Sequence, residues 1–137
     1  MKRNATAVWL GTGKEGKGTL SVQSKLFTNA AYSTASRFEQ GVGTNPEELV
    51  AAAHAGCFSM KLAYNIDAAG FLADRLETNC VVTLEDGWIQ KSHLTLKAQI
   101  KGITREKFDE LVKDAEKNCP ISRSIKAQMS VEATLNE

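Results

Sequence analysis

The period of the hydrophobic pattern changes four times along this chain, and each change marks an element. In the first third, Ala5, Ala7 and Trp9 alternate with Thr6, Val8 and Leu10. A glycine-rich stretch, G-T-G-K-E-G-K-G, then separates that run from T-L-S-V-Q-S, and L-F-T-N-A-A-Y follows after a short break. Period-two runs punctuated by glycine predict three antiparallel strands. From 49 to 71 the alternation disappears: nearly every position is apolar or small, and only His54, Lys61, Asn65 and Asp67 are clearly polar, which predicts a long helix. Alternation then returns. Leu76, Thr78, Cys80, Val82 and Leu84 share one face of a strand, and Leu94, Leu96, Ala98 and Ile100 share a face of the next, across a hairpin turn near Asp86-Gly87. Phe108, Leu111, Val112 and Ala115 recur at helical spacing behind a capping Thr104. Pro120 ends that helix, I-S-R-S-I-K-A forms a turn or short helix, and Met129, Val131, Ala133 and Leu135 alternate in a final strand.

The long helix has a well-marked start in T-N-P-E-E. Asn45 or Thr44 caps it, Pro46 suits the first helical position, and two carboxylates meet the positive end of the dipole. With Asn45 as cap, Glu48 falls at the third helical position, which leaves Glu47 free for another task. A helix apolar almost all round either spans a membrane or lies at a domain centre. Its alanine, glycine and serine content, its internal charges and the flanking strands argue for the centre. The fold class is therefore α+β, with antiparallel sheets packed around long buried central helices in a single domain over 1–137. One protomer has few elements left to cover such a helix, so a second subunit is expected to cover part of it.

Composition narrows the function. Charged residues make up 24% of 137 residues with a net charge of +1, so no excess of charge marks a nucleic-acid or membrane partner. The start M-K-R-N-A-T carries positive charge with no apolar stretch behind it, unlike a secretory signal, and a cytoplasmic, reducing location is expected. Three cysteines in that setting start as thiols, and a disulfide among them is catalytic or transient. The glycine-rich stretch lacks the spacing and the closing Lys-Ser/Thr of a phosphate loop and runs into a strand, so it reads as a hairpin loop.

Two of the three thiols suit opposite halves of redox chemistry. Cys57 lies within A-A-A-H-A-G-C-F-S-M, and Cys119 closes the amphipathic helix at N-C-P, four residues beyond Ala115 on its buried face. A thiolate that attacks peroxide becomes a sulfenic acid, and a second thiol captures it as a disulfide. The attacker must ionise near neutrality although burial opposes this, so it needs a cation. Arg37, in S-T-A-S-R-F-E, supplies a permanent charge and hydrogen-bond donors for both thiolate and peroxide. Glu47 lies ten residues before Cys57, about 15 Å along a helix, and is placed to orient Arg37 and not to touch the sulfur. Cys119, at the negative end of its helix, suits the waiting, resolving thiol. Cys80 shares an inward strand face with leucine and valine and reads as a small buried hydrophobe. Phe58, Met60 and Leu49 around the helix centre favour an alkyl or aryl hydroperoxide over hydrogen peroxide.

The runs R-F-E, T-N-P-E-E-L, A-A-H-A-G-C-F-S-M, N-C-P-I-S and I-K-A, in this order, resemble the osmotically inducible protein C (OsmC) and organic hydroperoxide resistance (Ohr) family, nearest its OsmC branch. The resemblance implies an OsmC-like intertwined homodimer with active sites at the subunit interface. It also implies a thiol-dependent peroxidase for organic hydroperoxides, recycled by a thiol or lipoyl-type dithiol and needing no metal or bound cofactor. By motif it makes Cys57 the attacking cysteine, Cys119 the resolving one, and Arg37 with Glu47 the activating pair. The turn at E-D-G-W-I-Q is shorter than that branch leads one to expect, which bears on the dimer edge. His54 matches the family motif and reads as a helix-packing residue. The alternatives from other classes are a metal-binding or redox-sensing module using His54, Cys57 and Cys119 with a carboxylate, although C-x-x-C knuckles are missing, and a non-catalytic carrier of apolar ligands.

Overall fold

The computed structural model describes residues 1–39 and 41–137 of the chain. Its strands and helices alternate in an α+β order and fall into two compact units, Met1–Leu49 and Val50–Glu137.

The first unit is built on a three-stranded antiparallel sheet of β1 (Ala5–Leu10), β2 (Lys17–Val22) and β3 (Ala30–Ser33), in that order. Its register sets Trp9 opposite Gly18 and Gly18 opposite Tyr32. The absent side chain lets the two aromatic rings meet, with centroids 5.3 Å apart, and a Cβ at Gly18 would strike both. The third strand starts later than the sequence pattern suggests. Lys25 and Asn29 both adopt positive φ, so L-F-T-N is a turn whose apolar pair mimics a strand. A five-residue helix that hydrophobic periodicity does not reveal, α1 (Thr34–Phe38), follows at once, fixed by a capping box between Ser33 and Ser36.

Helix α2 (Pro46–Ala68) begins at the end of the first unit and runs into the second. Asn45 caps it, its Oδ1 accepting from the Glu48 N–H at 2.8 Å. The helix stops three residues short of the expected end because Gly70, at φ 82°, turns the chain. Phe71 N–H donates to Ile66 C=O and Gly70 N–H to Asp67 C=O, the two bonds of a Schellman motif. Only one stripe of α2 is fully buried, His54, Phe58, Leu62 and Ile66 at four-residue spacing, while Gly56, Met60, Ala63 and Tyr64 are exposed. The expected burial on all sides is thus not reached within one chain.

In the second unit β4 (Ala73–Glu85) and β5 (Trp88–Ile100) form the expected hairpin. Asp86 and Gly87 make its two-residue turn, both at positive φ, as strand twist requires of so tight a connection. The inward faces correspond to the pattern, with Cys80 opposite Leu94 and Leu76 opposite Ala98. Helix α3 (Arg105–Asn118) starts at the Thr104 cap and buries Phe108, Leu111, Val112 and Ala115. Helix α4 (Pro120–Ser124) leads to β6 (Gln128–Leu135), which pairs with β5 in parallel. That pairing departs from an all-antiparallel sheet for a topological reason: α3 and α4 form a crossover, which returns the chain to the end of the sheet from which β5 set out. The core of this unit gathers the buried stripe of α2, the β5 face from Leu94 to Ile100, and the buried face of α3 ending at Cys119.

Candidate functional site

The Arg37 and Glu47 side chains meet in the first unit. Arg37 donates from Nε and Nη2 to one oxygen of Glu47, Oε1, at 2.9 and 2.7 Å. Local hydrogen bonds account for this placement. Asn45 Nδ2 donates to Ser36 C=O at 3.0 Å, and Ser36 Oγ donates to Thr44 C=O at 2.8 Å, so the start of α2 and the helix bearing Arg37 are held side by side. Glu48 is occupied at the helix start, where its carboxylate accepts from Thr44 Oγ1, which leaves Glu47 to the arginine. The second oxygen of Glu47, Oε2, is buried with no hydrogen-bond partner among the described residues.

In the second unit Cys57, on α2, is partly buried and Cys119, at the end of α3, is fully buried. Sixty-two positions apart in sequence, the two thiols are neighbours, near enough for Cys119 to bear on the ionisation of Cys57. A polar clasp between the two helices contributes to this approach. Asn65 Nδ2 donates to Asp114 Oδ2 at 2.9 Å and to Leu111 C=O at 3.1 Å, and Lys61 Nζ pairs with the same Asp114 oxygen at 3.2 Å. Lys61, Asn118 and Asn65 together hold the Asp114 carboxyl below its ordinary range.

Burial pushes the Cys57 thiol up, and the neighbouring Cys119 thiol pushes it the same way by favouring the neutral form. The Ile121 backbone opposes both by favouring the ionised sulfur. Because Pro120 has no N–H, Ile121 carries the first free amide of α4. Cys119 is at once the C-cap of α3 and the N-cap of α4. A dipole argument from α3 alone therefore does not describe it, since the start of a second helix adds the opposite sign.

The structure also joins residues that sequence reasoning left apart. His54 is fully buried, with Nδ1 2.7 Å from Ser92 Oγ and Nε2 2.8 Å from Ser122 Oγ. In either tautomer one nitrogen donates and the other accepts, and burial lowers its pKa, so the ring stays neutral. Both nitrogens are thus committed to serines, and the nearer thiol is Cys80, 3.9 Å from Nδ1 and 3.3 Å from Ser92 Oγ. This is not the arrangement of a metal module built from His54, Cys57 and Cys119. Burial raises Cys80 while its bond to Ser92 pulls it down more weakly, and it remains a thiol. Ser92 had a signal in the sequence, a polar residue in phase with Leu94 and Leu96; Ser122 had none. Phe58 belongs to the core and Met60 is exposed, so the apolar positions around Cys57 do not face a common side.

Among the described residues, two small three-stranded sheets, a long helix, and two shorter helices leading to the last strand define an OsmC-type α+β fold. The chain belongs to the OsmC family: the model for OsmC-like protein matches residues 39–134. Peroxiredoxin OsmC of Escherichia coli (strain K12) is 36% identical over 137 residues, spanning 97% of this chain and 96% of that protein. Organic hydroperoxide resistance protein OhrB of Bacillus subtilis (strain 168) is 35% identical over 101 residues, 71% of this chain and 73% of its own length. Among solved structures, an OsmC-like protein from Mycoplasma pneumoniae superposes with a TM-score of 0.78 at 14% identity, covering 100% of this chain and 99% of the other, a likeness of fold. The crystal structure of Bacillus subtilis OhrB gives 0.66 at 25% identity over 96% of this chain and 98% of that one. The family resemblance read from the motifs holds.

Proposed function

We infer that this protein is a cysteine-based peroxidase that reduces organic hydroperoxides to alcohols. The observation that supports the reading is that Cys119 lies near enough to bear on the Cys57 thiol, in a chain whose relatives are named peroxiredoxin and organic hydroperoxide resistance protein.

The Cys57 thiolate attacks the outer oxygen of the hydroperoxide. The O–O bond breaks, the alkoxide leaves and takes a proton to become the alcohol, and Cys57 becomes a sulfenic acid. Cys119 then attacks that sulfur, expelling water and forming the Cys57–Cys119 disulfide. An external thiol or lipoyl-type dithiol is oxidised as it reopens the bridge. Arg37, oriented by Glu47, supplies the positive charge that offsets the burial raising Cys57, and donates to the peroxide as its bond breaks. A homodimer, built from one such domain per chain, completes two sites, and the cytoplasm supplies the reducing environment. Neither a metal nor a bound cofactor enters this cycle.

Thiol titration after one equivalent of cumene hydroperoxide tests the reading. The wild type should lose two thiols and form one disulfide, Cys57→Ser should consume no hydroperoxide, and Cys119→Ser should oxidise once and stall as a sulfenic or over-oxidised acid. Equal, complete loss of the first oxidation in both variants would overturn the division of roles.

A further inference from the structure

His54 and Ser122 take no part in that cycle, yet they bracket its thiols. His54 sits three residues before Cys57 on α2, and Ser122 sits three residues after Cys119 on α4, next to Ile121, whose backbone favours the Cys57 thiolate. The imidazole spans from Ser92 Oγ on β5 to Ser122 Oγ on α4. Its β5 end is rigid, because Ser92 and His54 are both fully buried. The α4 end is not self-supporting: that helix has five residues, no side-chain cap and no fully buried residue. Such a short helix has little intrinsic stability and takes its position from tertiary contacts.

We propose that His54 is a positioning residue that ties α4 to α2 through Ser122, so that the Ile121 amide stays by Cys57 and Cys119 stays beside it. The neutral ring suits this task. A protonated imidazole would bring a charge into an apolar core, whereas the neutral form needs only the two hydroxyls. The Cys80 thiol packs against the same Ser92 and closes the cluster from the β4 side. The inference rests on reading Cys57 as the reactive thiol, and its test is separable from hydroperoxide turnover.

The experiment follows the pH dependence of Cys57 alkylation by iodoacetamide in the full-length protein, read at the Cys57 peptide by mass spectrometry. Ser122→Ala and His54→Asn should move the alkylation midpoint up by about one pH unit, as expected for loss of one hydrogen bond to a thiolate. Both should also slow disulfide closure after a single hydroperoxide equivalent by roughly tenfold, for the same loss of alignment. His54→Gln should stay near the wild type, because a glutamine amide reaches the place of Nε2, whereas an asparagine amide reaches only that of Nδ1. A merely structural role for His54 would not separate Gln from Asn in this direction. An unchanged midpoint in Ser122→Ala overturns the proposal, as does an equal shift in His54→Gln and His54→Asn. Should the histidine variants fail to fold, Ser122→Ala alone decides, since its side chain is only partly buried on a short helix. A wild type that turns over no hydroperoxide while these shifts appear would refute the peroxidase reading and uphold the tether.

Discussion

Arg37 gives Nε and Nη2 to one carboxylate oxygen of Glu47 and leaves Nη1 outside the pair. A guanidinium so held has lost its rotamer freedom before any substrate arrives, and its planar fork fixes the direction of the remaining donors, which the rotating ammonium of a lysine does not. The division of labour between the adjacent glutamates was legible in the sequence, because the Asn45 cap assigns Glu48 to the helix start. In the proposed cycle the Cys57 thiol, raised by burial, needs a positive charge to ionise near neutrality, and Arg37 is its proposed source. Arg37→Ala should therefore slow the first oxidation at pH 7 by roughly ten- to a hundredfold, the loss of one charged hydrogen bond in the transition state. The sign of the pH dependence follows. With Cys57 shifted up and no cation to offset it, the variant's rate should keep climbing as pH rises through the elevated thiol range, where the wild type has levelled off. Arg37→Lys should restore only part of the rate. Stopped-flow oxidation by cumene hydroperoxide across pH measures all three, and wild-type kinetics in Arg37→Ala would remove this residue from the site.

At the scale of elements, Asn45 does two jobs with one amide: its oxygen caps α2 and its nitrogen ties down the α1 backbone at Ser36. Asn45→Ala should cost about 1–2 kcal/mol of stability, as for other lost helix caps. Asn45→Asp keeps the acceptor and loses the donor, so urea unfolding should return it close to wild type while its first oxidation remains slowed by a loosened Arg37. If both variants recover rate and stability together, the amide nitrogen has no separate role. The elements that the sequence disclosed share a property: their signals are local. Asp86-Gly87 specifies the hairpin, and Thr104 with the Phe108 to Ala115 stripe specifies α3. What it concealed depends on distant partners. The parallel direction of β6 is set by the crossover through α3 and α4, and five residues are too few for α1 to show a period. His54 was visible as a packing residue, but its serines lie 38 and 68 positions away.

For the whole molecule, the unfinished burial of α2 is the feature with consequences. One stripe of this helix enters the core, and the opposite side presents Gly56, Met60, Ala63 and Tyr64, with Met60 63% and Tyr64 69% exposed. Large apolar side chains grouped among small residues on one helix face suit close packing against another chain. The simplest occupant is a second copy, because a two-fold interface brings each residue of the face into play twice. Met60→Glu would then place two carboxylates in the contact, with a cost of about 1.5–3 kcal/mol for each buried methionine lost before any charge is counted. Sedimentation equilibrium should find the wild type at twice the mass of the chain, and Met60→Glu should weaken the dimer by at least roughly a hundredfold, every 1.4 kcal/mol being tenfold. The same substitution on a face that is open to solvent in the working protein should change stability by only about 0.5 kcal/mol. Because a dimer gains stability by mass action, its urea midpoint should rise with protein concentration, and that dependence should fade in the variant as the monomer takes over. A wild type that sediments as one chain, with a concentration-independent midpoint, would mean that this face of α2 has some other use.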